Sequence, residues 1–178
     1  VEVRLYAEDP AASYQPQTGR LVTFEIPAEG IRVDAGYATG SEVSPHYDAM
    51  LAKVVSWAPS REQAIRQLTG ALKRARIHGV RTNREQLLAV LGDERFRAGD
   101  VSTALLDDIE PAAPTADPVV LMAAAATHLA DVTAARRLQT GIAPGWRNVP
   151  SQLHRVRLEV AGEEHEVGWR GWPPEFPE

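Results

Sequence analysis

The chain has 178 residues with 44% hydrophobic and 24% charged side chains, which is typical of a soluble globular protein, and no apolar run approaches the roughly 20 residues of a membrane-spanning helix. Its formal net charge of −5 argues against nucleic acid as the main partner. The absence of cysteine excludes a disulfide framework and a thiolate metal site, and because the first residues lack a signal-peptide pattern we expect a cytoplasmic protein.

The first part of the chain predicts a series of β-strands. Residues 1–8 alternate between apolar and polar side chains, as in a half-buried strand. After a loop over 14–20 that is marked by proline and glycine, strand-like runs follow at 21–26, 31–37 and 49–57. We therefore expect a sheet that already includes the first residues.

Two helices are predicted after these strands. Ser60 is followed three residues later by a glutamine, which is a capping-box pattern, and apolar residues then recur at helical spacing until Gly79. Asn83 with its own glutamine three residues later repeats the start signal for a shorter helix that Gly92 closes. Strands followed by helices indicate an α+β domain.

The stretch EPAAPTADP, residues 110–118, is the best candidate for a domain boundary because it contains three prolines in nine residues and few groups that could pack. This composition predicts a first domain over 1–108, a linker over 109–118 and a second part over 119–178.

The second part predicts a long helix and then a β-hairpin. Asp117 and Pro118 suit the cap and the first position of a helix that continues with strong helix formers to Gly141. Residues 154–170 alternate like two strands joined near Ala161 and Gly162, and the closing segment 171–178 predicts a frayed end.

Generic catalytic motifs are absent from the sequence. There is no glycine-rich phosphate loop and no G-x-S-x-G, and the five histidines are too scattered to predict a metal site. Arg4 lies on the polar side of a strand and Asp48 is typical of a turn, so both have a plain reading as solvated residues. Lys53 lies inside an apolar segment and must reach solvent or pair with a carboxylate. The residues alone do not name a reaction.

Four segments resemble a known family. RLYAEDP at 4–10, SEVSPHYDAMLAKV at 41–54, GVRTN at 79–83 and FRAGDVSTALLDD at 96–108 are similar to the C-terminal domain of the biotin carboxylase component of biotin-dependent carboxylases. The resemblance implies an α+β fold, with a mixed, mostly antiparallel sheet and packed helices, that packs against an ATP-grasp domain. We expect that domain upstream of Val1.

The rest of the chain is similar to the connecting region of acyl-CoA carboxylase alpha subunits, as in acetyl-CoA and propionyl-CoA carboxylases, on the basis of the long helix, GWRN at 145–148 and the strand that begins HRVRLEV. In that region a helix leads into a β-barrel that contacts the carboxyltransferase beta subunit. The resemblance therefore implies that the hairpin is the start of an incomplete β-barrel.

The resemblance also implies roles for individual residues. Arg4 matches the catalytic arginine that stabilises the negative ureido oxygen of biotin, and a guanidinium suits this task because it stays protonated. Asp48 is expected across the sheet from Arg4, where it would orient that arginine, and Tyr47 is expected to line the biotin site. Arg32 matches an arginine of the family's dimer interface, whose accompanying aromatic residue is replaced here by Glu29. Lys53 is interpreted as a structural residue.

The implied cofactors belong to a complete enzyme. In the family, ATP and Mg activate bicarbonate, and biotin is attached to a carrier domain through a lysine flanked by methionines. That attachment motif and the ATP-binding residues are absent from these 178 residues, so we expect no cofactor bound to this chain and no activity from it alone. Two alternatives remain open: a non-catalytic assembly module, and a biotin carboxylase that serves another acceptor such as urea or pyruvate.

Overall fold

The computed structural model describes residues 1–109, 115–138, 140–142, 146, 148, 152–160 and 162–176. Most of the predicted linker (110–114), the arginine of GWRN at 147 and Ala161 of the predicted hairpin turn lie outside these residues. The chain divides into two compact units, Val1–Ala112 and Ala113–Glu178.

The first unit is built around a three-stranded antiparallel sheet in the order β1-β8-β6. Six further short strands form antiparallel pairs around it, β2 with β3, β4 with β7 and β5 with β9. The strands are β1 Glu2–Tyr6, β2 Glu8–Asp9, β3 Gln15–Pro16, β4 Gly19–Arg20, β5 Thr23–Glu25, β6 Ile31–Ala35, β7 Glu42–Val43, β8 Met50–Ser56 and β9 Arg76–His78. The predicted α+β fold with mostly antiparallel strands is confirmed.

Three helices accompany these strands, α1 Arg61–Arg74, α2 Arg84–Gly92 and α3 Glu94–Ala98, with short 3-10 turns at Pro10–Ala12 and Thr103–Asp108. The core lies on one face of the central sheet, where Val54 and Ala52 of β8 pack with the buried side of α1 and with Leu91 of α2. A second cluster of buried apolar residues forms around Leu5, Ala7, Leu21, Val43 and Leu51. The opposite face of the central sheet carries charged side chains.

The helix α1 begins where the sequence predicts and ends earlier. The hydroxyl of Ser60 accepts a hydrogen bond from the backbone N–H of Gln63 at 3.2 Å, which is the predicted cap. The prediction that the helix extends to Gly79 is wrong. Ala75 is already extended, and the next three residues form β9, which pairs with β5. This pairing with a strand about fifty residues earlier overrides the local helical pattern.

Gly79 directly follows β9 and has a backbone conformation that other residues rarely adopt. Its φ is +115°, and a Cβ at this position would overlap the carbonyl oxygen of Arg20. The glycine therefore lets the chain turn tightly from β9 toward α2.

The second unit contains α4 Pro118–Ala134 and a hairpin of β10 His154–Val160 and β11 Glu163–Trp169. The carboxylate of Asp117 caps α4 by accepting from the N–H of Val119 at 2.7 Å, as predicted. The helix ends at Ala134 rather than at Gly141. The barrel that the resemblance implies is not confirmed by this single hairpin.

The closing segment was predicted to be frayed, and this is wrong for its described part. Arg170 and Glu175 exchange two backbone hydrogen bonds of 2.9 Å, which close a turn after β11. Within the parts of the chain that the structure describes, no helix combines the length and apolar character that crossing a membrane requires.

Candidate functional site

The open face of the central sheet carries a row of charged residues. Arg4 of β1 lies directly opposite Lys53 of β8, which in turn lies opposite Asp34 of β6. Directly opposed residues of an antiparallel sheet share one face, so the three side chains form one row across the sheet. Glu2 and Arg32 form a second row on the same face, on either side of Val55.

Arg4 is the most accessible cation of its row. Its guanidinium approaches the carboxylate of Glu2 at 3.6 Å, and its side chain is 60% exposed. Among the residues that the structure describes, this is the one ion pair of Arg4. A weak, exposed pair leaves most of the donor groups of a guanidinium available to a ligand.

Asp34 interacts with the other two cations of this face, Arg32 and Lys53. Its carboxylate accepts a hydrogen bond from Nε of Arg32 at 2.9 Å and approaches Nζ of Lys53 at 3.4 Å. The hydrogen bond from Arg32 holds the pKa of Asp34 below its ordinary value, and Lys53 adds to this effect. The predicted carboxylate partner of Lys53 is therefore found.

The loop before β8 carries Asp48 and Tyr47. The Asp48 carboxylate accepts from the N–H of Met50 at 2.9 Å, a hydrogen bond typical of an Asx turn. Lys53 is the direct cross-strand neighbour of Arg4, and the expected placement of Asp48 on the same face as Arg4 remains a prediction. The role predicted for Asp48 is a separate question and remains a prediction.

Asp48 lies close to Glu8 and acts on its ionisation. The pKa of Glu8 is raised, first by partial burial and second by the negative charge of Asp48. Residues 5, 7 and 9 are buried while residues 4, 6 and 8 are not, so Glu8 faces the same side of the chain as Arg4. Tyr47 is 81% exposed and is open to a ligand or to another domain.

Arg32 borders a shallow apolar groove. The groove is lined by Ala28, Gly30, Ile31, Arg32, Val55 and Trp57. Trp57 is 81% exposed, which is unusual for so large an apolar side chain. Glu29, which stands where the family's interface aromatic was expected, lies between two of the lining residues.

The segment GVRTN contacts β1 and β2, which the sequence reasoning missed. Arg81 forms an ion pair of 2.7 Å with Asp9, whose side chain is only 12% exposed. The sequence predicts that Asn83 caps α2, but its side chain makes no capping hydrogen bond and binds the backbone of Arg4 and Tyr6 instead. In the sequence, only the family resemblance links the two segments, because RLYAEDP and GVRTN both belong to it.

The described residues contain no group of three or more histidine or acidic side chains that could hold a metal ion. The open face can instead bind an anion, because it presents an accessible guanidinium on a strand that the sheet fixes.

Comparison with known proteins identifies the first unit. Residues 2–108 match the family described as the biotin carboxylase C-terminal domain. These are 107 of the 178 residues, more than half of the chain.

Two curated relatives extend the comparison. The chain is 40% identical over 114 residues to the mitochondrial propionyl-CoA carboxylase alpha chain of Homo sapiens, covering 62% of this chain and 16% of that protein. It is 36% identical over 139 residues to the mitochondrial methylcrotonoyl-CoA carboxylase subunit alpha of Dictyostelium discoideum, covering 74% of this chain and 20% of that protein. The chain thus spans a fifth or less of the length of these relatives.

A solved structure shares the fold. It is the biotin carboxylase domain dimer of the 2-oxoglutarate carboxylase of Hydrogenobacter thermophilus, in complex with MgADP, ADP and bicarbonate. The likeness has a TM-score of 0.58 and 35% identity, and covers 60% of this chain and 24% of that one.

Proposed function

Because the chain belongs to the biotin carboxylase C-terminal domain family, we propose that it supplies part of the site at which a biotin-dependent carboxylase carboxylates biotin. The observation that carries the proposal is Arg4, whose side chain is 60% exposed on a strand within the segment that matches the family. The two curated relatives are named as alpha subunits of carboxylases, and the activity proposed here likewise belongs to a larger enzyme.

Arg4 is the proposed catalytic residue. When biotin is bound, its ureido group is the nucleophile that takes up carbon dioxide, and negative charge develops on the ureido oxygen. A fixed cation at this oxygen lowers the barrier by about 3–4 kcal/mol if it acts like an oxyanion-hole donor. Arg4 suits the role because its guanidinium stays protonated and its planar fork can hold an oxyanion.

The neighbours of Arg4 support an anion site. Lys53 stands directly opposite Arg4 and adds positive potential to the same face, although its ion pair with Asp34 offsets part of the charge of Lys53. Glu2, at 3.6 Å, is the group that an incoming anion would replace. The residues present therefore fit a ureido oxygen.

Asp48 and Tyr47 are proposed as biotin-site residues on the same side of the chain. Their exposure supports access by a ligand. For Asp48 to orient Arg4, as proposed from the resemblance, the arginine would have to leave Glu2 and turn toward the loop that carries Asp48. A bound ligand or a neighbouring domain would have to favour this change.

ATP and Mg are proposed to bind to the upstream ATP-grasp domain of the full enzyme, as the family resemblance implies. The proposed partners are an upstream ATP-grasp domain, a biotin carrier domain and a carboxyltransferase beta subunit. Arg32 and the groove beside it are proposed to face a second copy in a homodimer, and the dimer named for the Hydrogenobacter relative supports this.

The acceptor is proposed to be an acyl-CoA. Supporting this, the methylcrotonoyl-CoA carboxylase match covers 74% of the chain, which is more than residues 2–108 alone. The other acceptors, urea and pyruvate, remain alternatives because biotin carboxylation is common to all these enzymes, and the Hydrogenobacter relative acts on 2-oxoglutarate by its name. The cytoplasmic location stays a prediction, since both curated relatives are described as mitochondrial.

The proposal is tested by Arg4→Ala in the full-length carboxylase that contains this chain. With free biotin as acceptor, biotin carboxylation should fall by about 100-fold or more, while the Kd for ATP should stay within twofold of wild type, about 0.4 kcal/mol. Arg66→Ala is the matched control, because Arg66 is an equally exposed arginine on α1 that pairs with Glu62. An unchanged carboxylation rate for Arg4→Ala would show that Arg4 is not the catalytic residue.

The second candidate function is a non-catalytic assembly module. The observation that favours it is the separate compact unit Ala113–Glu178, with exposed Val119 and Val120 on α4. Capture of the carboxyltransferase subunit by residues 109–178 alone would support this role. Capture only by the full-length chain would show that docking needs a larger structure.

A further inference from the structure

Asn83 is joined by three hydrogen bonds to the strand that carries Arg4. Its Nδ2 donates to the carbonyl of Arg4 at 3.2 Å, and its Oδ1 accepts from the N–H of Tyr6 at 3.0 Å. Its backbone N–H also donates to the carbonyl of Tyr6 at 3.2 Å. Asn83 therefore binds β1 on both sides of Leu5.

These hydrogen bonds fill an edge that the sheet leaves unpaired. In the order β1-β8-β6, β1 has a strand neighbour on one side only. Arg4 and Tyr6 are two residues apart, so their backbone groups point to the same edge of the strand. A carboxamide has the same donor and acceptor as a peptide group, and the Asn83 side chain acts here as one peptide unit of an additional strand.

The contact also lies beside an irregular step of the sheet. The register shifts between Leu5 and Tyr6, whose partners are Ala52 and Met50, so Leu51 is the extra residue and β8 is the bulged strand. A bulge disrupts the ladder locally, so the pairing of β1 with β8 is irregular at this step. Asn83 spans this irregular step and holds the peptide groups before and after it.

Asn83 is itself held firmly. It is 8% exposed and directly precedes α2, whose Leu91 is buried in the core. Two residues before it, Arg81 pairs with Asp9 at the end of β2. The segment GVRTN thus fixes the chain at residues 4, 6 and 9.

We propose that Asn83 is a positioning residue for Arg4, which sets the backbone from which the catalytic guanidinium projects. This inference rests on the proposed function, because it gives Asn83 a catalytic consequence only if Arg4 has one. A guanidinium displaced by about 1 Å loses roughly 100-fold of a rate that depends on its geometry. Asn83 is expected to act on the rate of biotin carboxylation through this displacement, without touching biotin.

The chemistry demands asparagine specifically. An aspartate has nearly the same shape and can still accept from the N–H of Tyr6, but a carboxylate cannot donate to the carbonyl of Arg4. Asn83→Asp therefore replaces the hydrogen bond to Arg4 by a repulsion between two oxygens and keeps the acceptor for the N–H of Tyr6. Gln86→Ala is the control, because Gln86 is an equally buried amide of α2 whose side chain donates to Tyr14 and not to β1.

The test is a double-mutant cycle in the full-length carboxylase, with free biotin as acceptor and rates corrected for the folded fraction. Asn83→Ala and Asn83→Asp should lower kcat roughly 10- to 100-fold, with the KM for ATP unchanged and Gln86→Ala close to wild type. In the Arg4→Ala background, Asn83→Ala should cause no further loss, because both changes remove the same interaction.

Two results overturn the inference. One is a kcat that Asn83→Ala leaves unchanged, and the other is an equal fold-loss with and without Arg4. If Arg4→Ala itself has no effect, it is the proposed function that fails. Hydrogen exchange gives an independent readout, since the Tyr6 amide should exchange faster in Asn83→Ala than in Asn83→Asp; equal exchange would overturn the hydrogen-bond assignment.

Discussion

Arg4 and Lys53 stand directly opposite each other on β1 and β8, on the open face of the central sheet. Like charges in this relation repel, so the pair contributes nothing to the stability of the fold. The nearest carboxylates are offset from the pair, with Glu2 at 3.6 Å from Arg4 and Asp34 at 3.4 Å from Lys53. A cation that the fold does not need for its stability is consistent with a functional role for Arg4.

Arg4→Gln should therefore leave the free energy of unfolding of the chain within about 0.5 kcal/mol of wild type, or raise it. The change removes a weak exposed ion pair together with the repulsion from Lys53. Urea unfolding measures this. Leu5→Ala, at the fully buried next position, should lose about 2–5 kcal/mol. A comparable loss for Arg4→Gln would show that Arg4 is a structural residue.

Asp34 should make the stability of the chain depend on acid pH. Its pKa is held below 3.8, chiefly by the hydrogen bond from Arg32. A carboxyl whose folded pKa is lowered contributes stability that is present above its unfolded pKa and is lost as the pH falls through its folded pKa. Asp34→Asn should thus lower the urea midpoint at neutral pH, with the difference from wild type shrinking as the pH falls through the lowered folded pKa of Asp34.

The control for this experiment is Asp100→Asn, which changes an exposed carboxylate that forms no ion pair within the described part of the chain. Its urea midpoint should stay at the wild-type value at neutral pH and at acid pH. If Asp34→Asn behaves in the same way, the cluster of Asp34 with Arg32 and Lys53 does not contribute to folding.

Asp48→Asn should lower the pKa of Glu8 part of the way toward 4.5. Asparagine keeps an oxygen for the N–H of Met50 and removes only the charge, while burial, the larger cause of the raised pKa, remains. A raised carboxyl pKa means stability that is lost as the pH rises through it, so the variant should be slightly more stable at neutral pH. NMR titration of the Glu8 carboxyl carbon measures the shift, and an unmoved pKa would place Asp48 away from Glu8.

Arg81→Ala should destabilise the chain by about 1–3 kcal/mol, because it leaves the largely buried Asp9 carboxylate without its cation. Arg66→Ala removes an exposed pair within one helix and should cost only about 0.3–0.5 kcal/mol. Thermal unfolding of both variants compares them. Equal effects would mean that the contact between GVRTN and the end of β2 is an ordinary surface pair.

The sequence predicts those elements whose signals are local. Ser60 and Asp117 each cap a helix through an amide two or three residues away, so the pattern contains the whole interaction. The strand β9 could not be found in this way, because its partner β5 lies about fifty residues earlier. For the same reason Asn83 was misread: its side chain bonds to a residue 77 positions away.

The candidate site follows the same rule. Alternation alone predicts that Arg4 faces solvent, and the apolar surroundings of Lys53 predict that it needs a carboxylate, which Asp34 supplies. Which residue stands opposite Arg4 depends on the register of β1 with β8, including the shift between Leu5 and Tyr6. A register is set by the packing of the whole sheet, so no local pattern could have identified Lys53 as the residue opposite Arg4.

The most direct test of the account compares bicarbonate-dependent ATP cleavage with and without free biotin, in the full-length carboxylase and in its Arg4→Ala variant. We expect the variant to keep the biotin-independent cleavage and to lose the biotin-stimulated part by about 100-fold or more, because Arg4 acts on the ureido oxygen and not on ATP. A variant whose cleavage is still stimulated by biotin to the wild-type extent would contradict the role of Arg4.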